Sequence, residues 1–109
     1  MKKIYLATPY SDSDPAVMEA RFEAVTRKAG QIINWGYIVY SPVTSCHPVA
    51  VRCSLPRGFD YWQQFDETFI EWCDELWVLQ LDGWRESVGV KAEVKIAEKL
   101  HKPAVYINV

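Results

Sequence analysis

Two acidic residues sit where a helix would bury them. With the segment from Ser87 to Leu100 wound at about 100° per residue and Val90 at zero, Val94, Ala97, Leu100 and Ile96 trace an apolar arc. Glu93 falls inside that arc, at about 300°, while Lys91, Lys95, Glu98 and Lys99 take the wet side. The same projection of Phe59 to Cys73, with Trp62 at zero, puts Asp66 at about 40°, among Phe59, Phe65, Phe69, Trp72 and Cys73. A carboxylate on a buried face costs several kcal/mol unless it is paired or hydrogen-bonded. Two readings stay open. Each acid ties down backbone as a structural group, or the two form the floor of a pocket. On the second reading Glu93 is a nucleophile, kept ionised by the nearby positive end of its helix, and Asp66 holds a substrate hydroxyl or acts as an acid.

Other residues could serve the same pocket. Ser87-Val88-Gly89 opens the third helix, where a hydroxyl and free amides suit an anion or serve as a plain cap. His47 stands in a segment with no helical period, either touching a base or phosphate or simply solvated. Arg52 and Arg57 offer positive charge to a phosphate or solubility alone. Trp84 follows Asp82-Gly83 and is placed to stack on a base, whereas Trp62 and Trp72 read as core. His47 and the cysteines lack metal-ligand spacing, so neither a metal nor another cofactor is expected.

The elements that must position these residues alternate. Lys3 to Ala7 is a buried strand stopped by Thr8-Pro9. Asp14-Pro15 starts a helix whose apolar face is Met18, Phe22, Val25, Ala29 and Ile32, with Gly36 as its C-terminal cap. Tyr37 to Tyr40 is a second strand. Thr44 to Gly58, with Pro42, Pro48 and Pro56 in or near it, reads as a long loop. Phe59 to Cys73 is a helix, Glu75 to Leu81 a strand, Asp82-Gly83-Trp84 a turn, Ser87 to Leu100 a helix and Ala104 to Ile107 a last strand. This order predicts one α/β domain over residues 1–109, a flavodoxin- or Rossmann-like three-layer sandwich on a four-stranded parallel sheet of order 2-1-3-4. Ligands in that architecture sit beyond the carboxyl ends of the strands. The loops Thr8 to Asp14, Leu81 to Ser87 and Ser41 to Gly58 then face the ligand.

Composition narrows the partners. The chain has 109 residues, half of them hydrophobic, with 12 Lys+Arg against 14 Asp+Glu. That balance builds a single core and carries no basic stripe for duplex nucleic acid. No apolar run approaches the roughly 18 residues of a membrane span, and the N-terminal run is too short for a signal peptide. Three cysteines without a C-x-x-C pair point to a reducing cytoplasm rather than a disulfide framework. A site on so small a domain is shallow or completed by a second copy, and exposed aromatics also favour a homo-oligomer.

Four segments resemble the nucleoside 2-deoxyribosyltransferase-like superfamily, which includes 2'-deoxynucleoside 5'-phosphate N-hydrolases. They are Ile4-Tyr5-Leu6-Ala7-Thr8-Pro9-Tyr10-Ser11; Asp66, followed eight residues later by Asp74; Leu81-Asp82-Gly83; and Ser87-Val88-Gly89-Val90-Lys91-Ala92-Glu93, an S-x-G-x-x-x-E pattern. The resemblance implies a flavodoxin-like fold and homo-oligomers, with Glu93 as the nucleophile at C1' of deoxyribose. It implies that Asp66 orients the sugar or assists the leaving base, and that the region of Tyr5, Thr8, Pro9 and Tyr10 lines the pocket; Asp82, Gly83, Ser87 and Gly89 in the matched segments, and Trp84 by its place beside them, are the other candidate substrate contacts. Serine at position 87 implies a 5'-phosphorylated substrate. The expected function is cleavage or transfer at the N-glycosidic bond of a 2'-deoxynucleoside or its 5'-monophosphate. The first loop departs from the Gly-rich loop of the phosphate hydrolases, which keeps a non-catalytic nucleotide-sensing module as the alternative. A flavin carrier would want a Ser/Thr/Gly-rich phosphate loop, and Asp12 stands where the phosphate would lie.

Overall fold

The computed structural model describes residues Met1–Val109. In chain order the elements are β1 (Lys3–Ala7), α1 (Pro15–Asn34), β2 (Ile38–Tyr40), α2 (Pro42–Cys53), α3 (Phe59–Trp72), β3 (Glu75–Leu79), α4 (Val88–Lys99) and β4 (Ala104–Ile107). The four strands form one parallel sheet of order β2-β1-β3-β4. This is the order the alternation predicts.

Strand alternation divides the core into two layers. Tyr5, Ala7, Leu76 and Val78 face Ile70, Val90 and Ala97 from α3 and α4. Leu6 and Leu79 face Val25, Ala29 and Ile32 of α1 and Val43 of α2. So α1 and α2 cover one face and α3 and α4 the other. The termini of α1 follow its sequence. Asp14 caps the first turn by accepting from the Ala16 amide at 2.9 Å, Pro15 opens the helix, and Gly36 turns the chain at φ +101°.

One expected loop is a helix. Most of Thr44 to Gly58 lies in α2, and only residues 54–58 connect it to α3. Ser41 caps α2 by accepting from the Thr44 amide at 3.1 Å, and Pro42 occupies its first turn. Pro48 lies inside the helix and lacks the N–H that would bond the Thr44 carbonyl. Burial of Val43, His47 and Ala50 offsets that loss. Their 4-3 spacing was present in the sequence but was masked by the polar type of His47. Smaller corrections concern termini. β3 ends at Leu79, two residues early, because the Leu81 amide turns back to bond the Leu79 carbonyl. Ser87 is the cap of α4, bonding the Val90 amide at 3.2 Å, rather than its first residue.

Candidate active site

A cavity of about 520 Å³ opens beyond the carboxyl ends of β1 and β3, a volume suited to a small organic ligand. Its two walls come from opposite faces of the sheet. Asp66 of α3 and Glu93 of α4 form one wall, while Tyr10 of the β1–α1 loop and His47 of α2 belong to the other. Thr8, Pro9, Gly83, Ser87 and Gly89 line it as well.

The acidic wall is dry. Glu93 is 4% exposed and Asp66 6%. The Tyr5 hydroxyl donates a hydrogen bond to Glu93, and Tyr5 itself lies fully buried beneath the cavity rather than on its surface. Burial pushes the Glu93 carboxyl well above the usual carboxylate range, and the charge of Asp66 pushes it further; the Tyr5 hydrogen bond works the other way. Burial raises Asp66 to about 6. The positive end of α4 does not keep Glu93 ionised in the way its place near the helix start suggests. Instead desolvation and a like charge dominate, and the two carboxylates titrate as a pair.

The opposite wall holds a hydrogen-bonded line. His47 is 5% exposed, with Nδ1 at 2.5 Å from the Tyr10 hydroxyl and Nε2 at 2.7 Å from a Glu19 carboxylate oxygen. Phe22 packs on the imidazole with ring centroids 4.7 Å apart. His47 is therefore a buried cavity residue and not a solvated loop residue. Nothing in the sequence alone joins positions 10, 19 and 47.

Cations complete the site. Arg21 was not singled out by its sequence context. Its guanidinium donates to the carbonyls of Tyr10 and Ser11, both at 3.2 Å, and to that of Asp82 at 3.3 Å, so it clamps the two ligand-side loops together. Arg57 lines the cavity and its buried Nε has no partner; the buried Thr8 hydroxyl is also unpartnered. These two groups are open hydrogen-bonding capacity beside the cavity. Arg52 is exposed and bonds only the Pro48 carbonyl, at 3.4 Å. Besides Tyr5, two further expected contacts lie outside the cavity. Asp82 is exposed, and Trp84 leans on Tyr106 with centroids 5.4 Å apart and packs against the α3/α4 core. Trp62, expected in the core, is half-buried on the cavity wall, with its indole N–H donating to the Pro56 carbonyl at 2.7 Å.

Gly83 is required by the clamp. Its φ is +92°, and an added Cβ would lie 2.8 Å from the Arg21 Nη2. Gly83→Ala is expected to destabilise the fold by about 1–2 kcal/mol through the left-handed backbone alone. It should also loosen the two loops. Thermal melting checks the first effect and limited proteolysis the second.

A family model described as a domain of unknown function, DUF1937, matches residues 2–108. The chain belongs to that family. A comparison with curated proteins finds no match. Among solved structures, this DUF1937 chain is similar to the 2-deoxyribosyltransferase of the psychrotolerant bacterium Bacillus psychrosaccharolyticus. The identity is 23% and the TM-score 0.62, over 97% of this chain and 72% of that one. The DUF1937 chain thus shares its fold with that 2-deoxyribosyltransferase. No helix of it is long and apolar enough to cross a membrane.

Proposed function

We propose that this chain breaks the N-glycosidic bond of a 2'-deoxynucleoside 5'-monophosphate or its nucleoside, with Glu93 as nucleophile, and passes the sugar to water or a second base. The observation that carries the reading is the pair of buried carboxylates from two different helices at one cavity wall, with Tyr5 bonded to Glu93. Isolated buried acids are costly, and a fold gains nothing from two of them beside an open cavity unless they act on a ligand. The likeness in fold to a 2-deoxyribosyltransferase supports the same class of chemistry.

In this mechanism the ionised Glu93 attacks C1' as the C1'–N bond breaks, and the bonding pair leaves with the base. The transition state has oxocarbenium character, as in glycoside hydrolysis. A 2'-hydroxyl would disfavour that cation inductively and crowd the carboxylate, so deoxyribose is the sugar. Asp66 holds a sugar hydroxyl. The N-terminus of α4, with Ser87 and Gly89 at the cavity, receives the 5'-phosphate on amides and the helix dipole. Chemistry at the glycosidic bond then needs neither metal nor cofactor.

Base release tests the proposal. Each common deoxynucleoside and its 5'-monophosphate is incubated with the protein, with and without a second free base, and the products are separated by chromatography. Free base establishes a hydrolase and base exchange a transferase. Nucleotide binding with no release from any substrate overturns the enzyme and leaves the sensing module. Ser87→Asp is expected to lower kcat/KM for the monophosphate about 10-fold or more against the nucleoside, because it sets a like charge beside the phosphate. An unchanged ratio removes Ser87 from the phosphate site. The same proposal takes residues 1–109 as one domain working in the cytoplasm as a homo-oligomer. Exposed Tyr61, Phe65 and Val88 are the apolar surface for self-association. Sedimentation measures that state.

A further inference from the structure

We propose that Tyr10, His47 and Glu19 form a proton relay that protonates the departing base, with Tyr10 as the general acid. The proposal rests on the N-glycosidic reading above and adds to it the source of the leaving group's proton. The three residues come from separate elements, the β1–α1 loop, α2 and α1, yet they make one continuous line. Glu19, its side chain 58% exposed, meets solvent at one end, His47 is buried in the middle, and Tyr10 lines the cavity at the other.

The two hydrogen bonds of His47 suit proton delivery when both ring nitrogens carry a proton. Glu19, an acceptor, fixes a proton on His47 Nε2. With Nδ1 also protonated, His47 donates to the Tyr10 oxygen, which frees the Tyr10 O–H to point at a ligand. As the C1'–N bond breaks, its electron pair goes to the base nitrogen. That nitrogen takes the Tyr10 proton, the Tyr10 oxygen takes the His47 Nδ1 proton, and the imidazole is left neutral. Glu93 loses its charge to the new ester bond at C1'. When water or a second base accepts the sugar, the proton it releases returns along the same line.

The placement of the two walls supports this division of labour. Asp66 and Glu93 approach from the α3/α4 face, so C1' lies there. Tyr10 and Phe22 pack on the α1/α2 core, which puts the relay across the cavity, on the side left for the base. A purely structural brace has no need of an imidazole at position 47. Val43 and Ala50 flank it on a buried face that an apolar side chain would fill without desolvating a polar ring. Tyr10 is the catalytic residue on this account, and His47 and Glu19 are positioning residues that act through it.

The test compares two leaving groups. One is the neutral deoxynucleoside or monophosphate that the protein turns over. The other is an N7-methylated 2'-deoxyguanosine form, whose cationic base departs without a proton. Tyr10→Phe and His47→Gln are expected to lower kcat on the neutral substrate about 10²- to 10³-fold, and on the methylated one less than about 3-fold. Glu19→Gln should show the same selectivity with a smaller loss. Retained turnover of the methylated substrate also reports that each variant is folded. Equal losses on both substrates, or no loss on either, overturn the relay while leaving the N-glycosidic reading intact. A wild-type protein that releases base from neither substrate overturns that reading, and the relay with it.

Discussion

Glu93→Gln is expected to abolish base release, with a loss of at least about 10³-fold, while raising the thermal stability of the protein. The loss follows from the removal of the attacking oxygen, for which an amide is no substitute. The gain follows from burial. The folded state holds the Glu93 proton more tightly than the unfolded chain does, because desolvation and Asp66 raise its pKa. Wild-type stability is therefore fullest below the ordinary carboxylate range and declines as pH climbs through the raised value. Glutamine keeps the shape and can still accept from Tyr5, but it carries no charge to desolvate. The two proteins should melt together at about pH 4 or below and separate above neutrality, the variant higher by roughly 5 °C, the size expected for about 1 kcal/mol in a domain of this length. Melting curves across pH check this directly. A Glu93→Gln protein that keeps most of its turnover removes Glu93 as nucleophile, and one that melts lower at high pH removes the charge as a cost.

Asp66→Asn carries the second large effect. The loss of a charged partner for the sugar hydroxyl is expected to lower kcat/KM about 10- to 100-fold. The pH profile should change with it. In the wild type the pair must shed a proton before Glu93 can attack, so the acid limb of the rate lies above the ordinary carboxylate range. The negative charge of Asp66, itself raised to about 6, is one of the causes that push Glu93 up. Asparagine removes that charge, so the acid limb moves to lower pH even as the rate falls. A rate profile for each protein between pH 4 and 9, on the order of ten points, suffices. A limb that does not move separates the two carboxylates, and the shared-site account fails.

Both carboxylates were legible because the signal is local. A charge on an apolar arc needs only helical period to be noticed, and Glu93 and Asp66 are indeed among the few buried polar residues. α2 was hidden for an equally local reason. Pro42 at a helix start is ordinary, but Pro48 in an interior reads as a breaker, and the buried face of Val43, His47 and Ala50 contains an imidazole. The tertiary gain from seating that face against α1 outweighs the missing amide hydrogen bond, and such a gain has no signature in a window of sequence. Trp84 failed in the other direction. Its place after the Asp82-Gly83 turn suggested the ligand side, whereas its ring found Tyr106 and the α3/α4 core.

The sequence by itself determined the alternation of strands and helices, the parallel sheet of order 2-1-3-4 and the phase of the two acids. Each is governed by the period of apolar residues or by the handedness of the crossover. Tertiary structure alone decided what those acids face. It set Tyr10, Glu19 and His47 in one line, used Arg21 to clamp two loops, and left Thr8 and Arg57 with unpartnered polar atoms beside the cavity. These contacts join residues distant in the chain. Their energies come from desolvation and from hydrogen bonds made only when opposite faces of the sheet are both covered, so no local pattern could encode them.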